Sequence, residues 1–374
     1  MGLLDYFRRE KRTEEAPEVS WDLISTGSLG GGVTPAMAEQ LSTVLSCVQV
    51  LSSSVASLPA WVYRGTKNGR DIVPDHPLTA MIDRGPNPDQ TWPDFIEYML
   101  SQVLLWGNAL AHVKYDRNGV LQEIRPVPWN YVSYELLKNG KLRYQVTFPH
   151  TQENRRLLES DVLHIRDRSD DGMIGRSRLS RAAAAVRTAI ELQTFSESLY
   201  RNGTAPSGAL KHEQKLSKEA VDLLRQRFEA AHQGAAKAGK VLILDSGLDW
   251  QSMSISPEDA ELLASRKFST EELARIYQVP PPLVGIWDHS SFTNSETAGR
   301  WFSQFTLSPW VRKIEAEFKR SVFTEVERDL SLEIDLSGFM RGDYETRWRA
   351  HEIAVRNNIL TTDEIRESEG WGPR

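Results

Sequence analysis

The chain has 374 residues, of which 40% are hydrophobic and 26% are charged. This composition is typical of a folded protein and excludes an intrinsically disordered chain, and the length admits two or three domains or one elongated subunit. The formal net charge is −6, so the sequence lacks the basic excess with which proteins usually grip duplex DNA.

Targeting signals and cysteine usage give expectations about the compartment. No stretch approaches the roughly 18 consecutive apolar residues that a membrane-spanning helix needs. The N-terminal sequence MGLLDYFRREKR lacks the apolar core of a signal peptide, and Tyr6 stands where a myristoylation signal needs Ser or Thr. Cys47 is the single cysteine, and its apolar helical surroundings favour a core position over a nucleophilic role. We expect an intracellular protein without a membrane segment.

The chain begins with a segment that is predicted to be a mobile arm, followed by helices. Three consecutive glycines at 30–32 predict a flexible arm or linker over residues 1–35, and no strand precedes them as a nucleotide-binding loop requires. Apolar residues at helical spacing then predict a buried helix over 36–59. Thr91 is a candidate N-cap for a further helix over 92–106.

Strand patterns follow these helices and complete an α+β domain over 36–176. From residue 107 the hydrophobic period becomes two, and the turns DRNG and KNGK predict a set of antiparallel hairpins. The segment 161–167 reads as one more strand.

Two long helices are predicted to flank a small α+β insertion at 204–255. The first covers 175–203 and is rich in Ala and Leu, with Asn202 and Gly203 as its end signal. The second has Pro257 at its first position and runs to the three prolines at 280–282.

The region after the prolines is predicted to be a loop and then a long helix of about nine turns. Thr293 and Glu296 have capping-box spacing at the start of this helix. Pro309 falls in its interior, where it removes one backbone hydrogen bond, so a kink is expected. A strand over 331–336 and two helices around 343–358 and 361–370 finish the chain.

Adjacent carboxylates at Asp170 and Asp171 are the most enzyme-like feature. Paired carboxylates can hold Mg²⁺, so a metal-dependent nuclease or hydrolase is the alternative function. Asp-Asp-Gly is also an ordinary turn in which the side chains accept hydrogen bonds from nearby amides, and we favour that interpretation.

Other catalytic patterns are missing from the sequence. There is no P-loop, no HExxH pair and no GxSxG elbow. His289 lies between Asp288 and Ser290, but neighbours in sequence cannot easily form the relay of a catalytic triad. We therefore predict no catalytic residues, no metal and no cofactor.

Seven segments stand in a recognisable order: CVQVLSSSVASLP, HPLTAMIDRGPNP, LLWGNALAHVKYDRNG, HIRDRSDDGMIGRSRLSRAAAA, RNGTAPSGALK, ASRKFSTEELARIYQVPPPLVG and LSPWVRKIEAEFKRSVF. Each is weak alone. Together, from about residue 40 to residue 373, their order and spacing resemble the phage portal protein family in its long-tailed-phage branch.

The resemblance implies an elongated α+β subunit of portal type with an α+β wing, two long stem helices, a small α+β clip, and a kinked long helix leading to a helical crown. By similarity its parts are a flexible arm at 1–35, the wing at 36–176, stem helix 1 at 177–203, the clip at 204–255, stem helix 2 at 256–279, a tunnel loop at 280–292, the kinked helix at 293–327, and a wing strand with the start of the crown at 328–374.

The tunnel loop is where the resemblance expects contact with DNA. The residues implied are Gly285, Ile286, Trp287, Asp288, His289, Ser290, Ser291, Phe292, Thr293 and Asn294. Independently, prolines stiffen the base of this loop, and Asp288 is its only carboxylate, so it can touch a moving phosphate backbone without trapping it. The alternative is that PPPLVG merely terminates a helix within a core.

The resemblance further implies a ring, usually of twelve subunits, at one vertex of the capsid. Double-stranded DNA would pass through it without sequence-specific contacts during packaging and ejection. The implied protein partners are the terminase large subunit, the major capsid protein and a head–tail adaptor protein, and the implied location is the virion, with assembly in the host cytoplasm. Aromatic side chains would suit contacts between subunits, and the candidates are Trp287, Trp301, Trp310 and Trp348.

Overall fold

The computed structural model describes residues 33–67, 69–149, 151–202, 208–212, 248–252, 257–286, 292–336, 344–369 and 371–372. Most of the predicted arm, the middle of the predicted clip and the loop residues 287–291 lie outside this set.

The described residues form α-helices along the whole chain. In order they are α1 (Pro35–Glu39), α2 (Ser42–Ala56), α3 (Pro77–Arg84), α4 (Trp92–Trp106), α5 (Arg178–Arg181), α6 (Ala183–Asn202), α7 (Pro257–Tyr277), α8 (Phe292–Trp301), α9 (Ser308–Ser321), α10 (Tyr344–Arg356) and α11 (Thr362–Ser368). None of these helices is both long and apolar enough to cross a bilayer.

The described strands form four antiparallel sheets. The strands are β1 (Ala60–Thr66), β2 (Gly69–Ile72), β3 (Asn108–Tyr115), β4 (Leu121–Val127), β5 (Val132–Leu136), β6 (Leu142–Phe148), β7 (Glu153–Leu158), β8 (Val162–Arg166), β9 (Gly208–His212), β10 (Leu248–Ser252) and β11 (Leu330–Ile334). The sheet orders are β11-β1-β2, β4-β3-β8, β5-β6-β7 and β10-β9.

Helix α4 shows how local sequence sets an element. The Thr91 hydroxyl accepts from the Asp94 amide at 3.4 Å, and the Asp94 carboxylate accepts from the Thr91 amide at 3.1 Å, which completes a capping box. The helix ends at Gly107, whose left-handed φ of 81° places its amide 2.8 Å from the Val103 carbonyl oxygen. The predicted N-cap is confirmed.

The main hydrophobic core joins segments that are far apart in the chain. Helices α2 and α4 pack on each other, and α4 packs on β3. Helix α9 covers β8 and β11, and Phe318 on α9 is fully buried with Phe95 on α4. Strand β11 pairs with β1, from Ala60 opposite Ile334 to Arg64 opposite Leu330. The α+β domain predicted over 36–176 is thus completed by a helix and a strand from near the C-terminus.

Several predicted elements differ from those observed. The helix predicted over 36–59 divides into α1 and α2, and the one over 175–203 divides at Ala182, whose φ of −106° and ψ of 28° depart from helical values. The predicted hairpin strands are present but belong to two separate sheets, because β3 lies between β4 and β8 whereas β6 lies between β5 and β7. Strands β1, β2 and β7 were not predicted.

The helix after the loop is not a single regular α-helix. A π-helical segment at Phe302–Leu307 separates α8 from α9, and Pro309 is within the first turn of α9. Proline has no N–H to donate to the preceding turn, so a wider turn is tolerated there. The departure from regular geometry expected at Pro309 therefore occurs just before it.

Candidate functional site

A buried ion pair connects α5 and the end of α7 to the sheet of β8. Arg178 begins α5, and its Nε donates to Asp167 Oδ2 at 2.9 Å; the two side chains are 19% and 6% exposed. Arg178 Nη1 also donates to the carbonyl oxygens of Ile276 and Tyr277, the last two residues of α7, at 3.4 and 3.3 Å. A cation at this position satisfies carbonyls that have no partner within the helix and interacts favourably with the helix dipole.

Trp310 on α9 packs against the same cluster. The guanidinium of Arg178 lies 5.3 Å from the centre of the buried Trp310 ring, and Lys313 Nζ lies 5.1 Å from it. Lys313 also donates to the carbonyl oxygen of Arg166 at 3.1 Å, and burial lowers the pKa of its ammonium. We call the set Asp167, Arg178, Trp310 and Lys313 the joint, because it fixes α5, α7 and α9 to the end of β8.

The segment that leaves α7 is tied to the segment that returns from the loop. Gln278 follows α7 with a left-handed φ of 59°, which turns the chain away from the helix axis. Its carbonyl oxygen accepts a 2.7 Å hydrogen bond from the hydroxyl of Thr306, in the π-helical segment. This hydrogen bond links the residue that follows α7 directly to the π-helical segment, so the two ends of the intervening chain are held together.

The proline-rich turn, which we call the loop base, covers Pro280–Ile286. Pro281–Val284 form one turn of 3₁₀ helix, and Gly285 ends it with φ of 82°, a conformation that favours glycine. No residue of this turn is buried, and Leu283 is exposed. The alternative that PPPLVG terminates a helix within a core is therefore wrong, because only the half-buried Val284 packs against the core.

The predicted tunnel-loop residues fall into three groups. Gly285 and Ile286 end the loop base, and the five residues 287–291 lie outside the described set. Phe292, Thr293 and Asn294 are the first residues of α8, so they are helical and not in a loop. Thr293 therefore lies within the first turn and is not the N-cap that its spacing from Glu296 suggested. Contact of these ten residues with DNA stays a prediction.

The two acidic candidates for metal binding are engaged in a turn. Asp171 accepts from the amides of Ile174 and Met173 and from the Ser169 hydroxyl, and these bonds lower the pKa of its carboxyl to about 2. Asp170 is paired with Arg181 and Arg176, which lower its pKa.

The hydrogen-bond partners of the Asp170 and Asp171 carboxylates do not favour binding of a metal ion. Both already accept from cations or amides, so a metal would have to displace several charge-assisted hydrogen bonds. Within the described ranges no cluster of three or more His, Cys, Asp or Glu side chains could hold a metal ion. The nuclease alternative is therefore not supported, and the turn interpretation agrees with the structure.

A second buried polar network lies between β3, β6 and β8. His164 is 1% exposed, with Nδ1 2.9 Å from the Tyr144 hydroxyl and Nε2 3.0 Å from Asn108 Oδ1. The Asn108 side chain also accepts from the Gly175 amide and donates to the Gly175 carbonyl. Burial holds the pKa of His164 well below its ordinary value, so the ring is neutral. These contacts fix the turn after β8 to β3 and carry no catalytic arrangement.

The tryptophans named as candidates for subunit contacts are distributed unequally. Trp301 is exposed, whereas Trp310 is buried in the joint and is unavailable as a surface contact. Trp348 is half-buried beside Trp371, and Trp287 lies outside the described residues.

The sequence analysis did not predict the buried ion pair between Arg178 and Asp167. One signal was present: a basic residue in the first turn of a helix is disfavoured by the helix dipole, so Arg178 needed a compensating anion nearby. Nothing in the sequence indicates that the carbonyl oxygens at the end of α7 lie within reach of Arg178.

Small antiparallel sheets, the paired long helices α6 and α7, and a helix that follows an exposed proline-rich turn define a portal-type subunit. The family model described as "Phage portal protein" matches residues 42–370. The chain therefore belongs to the phage portal protein family.

Individual relatives agree with this membership. The portal protein of Enterobacteria phage HK97 is 28% identical over 344 residues, covering 89% of this chain and 79% of the relative. The probable portal protein of Streptomyces phage phiC31 is 28% identical over 368 residues, covering 94% and 79%. The structure titled "Neck of native GTA particle computed with C12 symmetry", where GTA denotes a gene transfer agent, matches with a TM-score of 0.61 at 22% identity, covering 96% of this chain and 95% of that one.

Proposed function

We propose that this protein is the repeating subunit of a ring-shaped DNA channel at one vertex of a phage capsid. The observation that carries the proposal is the loop base: an exposed proline-rich turn whose two roots are tied by the Thr306–Gln278 hydrogen bond and anchored by Arg178 at the end of α7. Within a chain of the portal family, such a support sets where the chain leaves α7 and where it enters α8 on every subunit.

The ring is proposed to contain twelve subunits. The similarity in fold to the neck structure computed with C12 symmetry supports this number. A ring of identical copies needs contacts between two different faces of neighbouring subunits, and it closes only when the rotation between them matches the ring size.

The channel is proposed to pass double-stranded DNA without reading its sequence. The ten residues from Gly285 to Asn294 contain one carboxylate, Asp288, and no Lys or Arg. Affinity for DNA comes mostly from cations that neutralise phosphates, so a lining without Lys or Arg allows contact without tight binding. Packaging and ejection both require that the duplex keeps moving.

The proposed partners follow from this position in the capsid. They are the terminase large subunit that drives packaging, the major capsid protein around the ring, and a head–tail adaptor protein that binds after the head is full. The subunit would act without catalysis or cofactor, in the virion at the portal vertex and in the host cytoplasm during assembly.

The test combines electron microscopy of the purified protein with packaging by a loop variant. We expect closed rings for the wild type and for a variant that lacks residues 286–292, because the joint that holds the loop base is unchanged. Packaged DNA should fall strongly in the deletion variant. A variant in which Gly and Ser replace 286–292 at equal length is the matched control, since it separates loop chemistry from loop length. Normal packaging by the deletion variant, or absence of rings in the wild type, would refute the proposal.

A further inference from the structure

A cleft of about 550 Å³ lies between the sheets β4-β3-β8 and β5-β6-β7. The two sheets share a buried cluster that includes Leu110 on β3 and Val146 on β6. Phe148 packs against this cluster and also lines the cleft, so the cleft begins where the shared core ends. We call it the sheet cleft. Its lining includes Tyr98, His112, Arg125, Phe148, Glu153 and Arg155.

Rigid rings and prolines form much of the wall of the sheet cleft. The rings of His112 and Phe148 meet edge to face with their centres 5.9 Å apart, and the Arg155 guanidinium lies 5.7 Å from the centre of the Phe148 ring. Prolines contribute further apolar surface, and they are Pro126, Pro128 and Pro149. Because rings and prolines have few rotatable bonds, little side-chain entropy is lost when a ligand packs against this wall.

The charged groups of the sheet cleft already neutralise one another. Arg125 donates to the carboxylates of Asp89 and Glu123, each at 2.8 Å. Arg155 donates to both carboxylate oxygens of Glu153, at 2.8 and 2.9 Å. A ligand with a net charge would therefore have to displace existing ion pairs. The lining holds three cations and three carboxylates, namely Lys114, Arg125 and Arg155 with Asp89, Glu123 and Glu153.

The sheet cleft also contains two half-buried neutral donors, Tyr98 and His112. Within the part of the chain that the structure describes, neither the Tyr98 hydroxyl nor the His112 ring makes a hydrogen bond to another residue. Burial raises the pKa of Tyr98 to about 12, so its hydroxyl keeps its proton. Burial and, to a smaller extent, the nearby Arg155 lower the pKa of His112, so the ring is neutral at neutral pH and carries one N–H. The lining therefore has donors to offer, whereas its carboxylates already accept hydrogen bonds.

These features match a ligand that presents carbonyl oxygens and apolar surface but few N–H groups and no net charge. A proline-rich segment in the polyproline II conformation has this chemistry, because proline lacks an N–H and the carbonyls of this helix make no internal hydrogen bonds. Aromatic-lined grooves bind such segments in several classes of protein domain. A DNA duplex or an acidic segment is a poorer match, since the cations of the cleft are engaged in ion pairs.

We propose that the sheet cleft binds a proline-rich, extended segment of a partner protein, whose carbonyl oxygens accept hydrogen bonds from Tyr98 and His112. The rings and prolines of the wall pack against the pyrrolidine rings of this segment. The volume of the cleft lies within the range of ordinary ligand pockets. A single chain builds the whole cleft, so this inference goes beyond the proposed ring and does not depend on it.

The first test measures binding of a labelled oligoproline peptide of about ten residues by fluorescence anisotropy. The wild-type chain should bind this peptide. A Gly/Ser peptide of equal length should bind at least about tenfold more weakly, because it is flexible and carries an N–H at every residue. An oligoglutamate peptide should also bind at least about tenfold more weakly, because the cations of the cleft are already paired. Failure of oligoproline to bind, or equal binding of either control peptide, would overturn the proposal.

A variant that carries Tyr98→Phe and His112→Leu tests the site itself. It removes both donors and keeps apolar bulk, so its affinity for oligoproline should fall at least about tenfold, as expected for the loss of two ordinary hydrogen bonds. Tyr131→Phe is the matched control, because Tyr131 is 42% exposed and lies outside the lining. We expect the control to bind like the wild type, and thermal midpoints check that both variants fold. Unchanged affinity of the cleft variant, or an equal loss in the control, would rule out the sheet cleft as the site.

Photocrosslinking locates the peptide without any substitution in the cleft, so it tests the site even if the double variant does not fold. An oligoproline peptide with a terminal benzophenone should form bonds to β3, β4, β6 or β7 of the wild-type chain, and mass spectrometry identifies the crosslinked residues. Bonds confined to surfaces outside the sheet cleft would contradict the assignment.

Discussion

The His164 network and the joint solve the same problem, a polar group away from water, in different ways. Between β3, β6 and β8, the side chains of His164, Tyr144 and Asn108 are neutral and buried. At the joint, buried Asp167 and the carbonyl oxygens at the end of α7 compensate the Arg178 guanidinium.

This difference shows where the molecule tolerates charge. Neutral groups can be sealed at modest cost if each hydrogen bond is made, whereas a buried charge requires a partner. The neutral network fixes strands within one domain. The charged cluster lies where α5, α7 and α9 meet the sheet, and directional charge-assisted bonds there set the relative position of elements that are distant in sequence.

The largest effect is expected when the joint loses its cation. Arg178→Met keeps most of the side-chain volume but leaves Asp167 buried without its partner, so unfolding free energy should fall by about 3–5 kcal/mol. Chemical denaturation measures the change. Arg176→Met is the matched control, because Arg176 pairs with the exposed Asp170, and solvent screening should make its loss much less costly than that of Arg178. Similar losses of unfolding free energy in both variants would show that the buried pair contributes no more to stability than an exposed one.

The next largest effect is expected from a substitution at Gly175, which tests the neutral network around His164. A Cβ atom there would overlap the carbonyl oxygen of Gly107 and press on the amide nitrogen of Asp167, so Gly175→Ala should cost about 2–3 kcal/mol. Gly299→Ala is the control: it lies in α8 with no atom near the new methyl group and should stabilise by about 0.5–1 kcal/mol. Opposite shifts in thermal midpoint are expected, and shifts of one sign would contradict the packing around Gly175.

The smallest effect is a dependence of the free energy of unfolding on pH through His164. The pKa of His164 is lowered by burial in the folded state, while an unfolded histidine titrates near about 6.5, so the unfolded chain binds more protons below that pH. The contribution of neutral His164 to the free energy of unfolding is therefore complete above about pH 6.5. It is lost as the pH falls from there toward the pKa of His164 in the folded state. Urea midpoints should therefore drop from pH 7.5 to 5.5, and the drop should be smaller in His164→Gln. If the urea midpoints of the wild type and His164→Gln fall equally with pH, His164 is not the source of the pH dependence.

Local sequence determined many of the elements. The Thr91 capping box, Pro257 at the start of α7 and the alternating pattern of β6 act through neighbours in the chain, so these signals can be read without a structure. The turn around Asp171 was also predictable, because Asp-Asp-Gly bonds to its own amides. The family resemblance came from the order of such segments.

Only the tertiary structure decided which distant segments meet. Strand β11 joins β1 although about 270 residues separate them, and Trp310, expected at the surface, lies buried between two cations. Arg178 on α5 reaches the carbonyl oxygens at the end of α7, about a hundred residues further along the chain. Such pairings depend on the balance of burial, charge compensation and closure entropy over the whole chain, and no short stretch of sequence carries that balance.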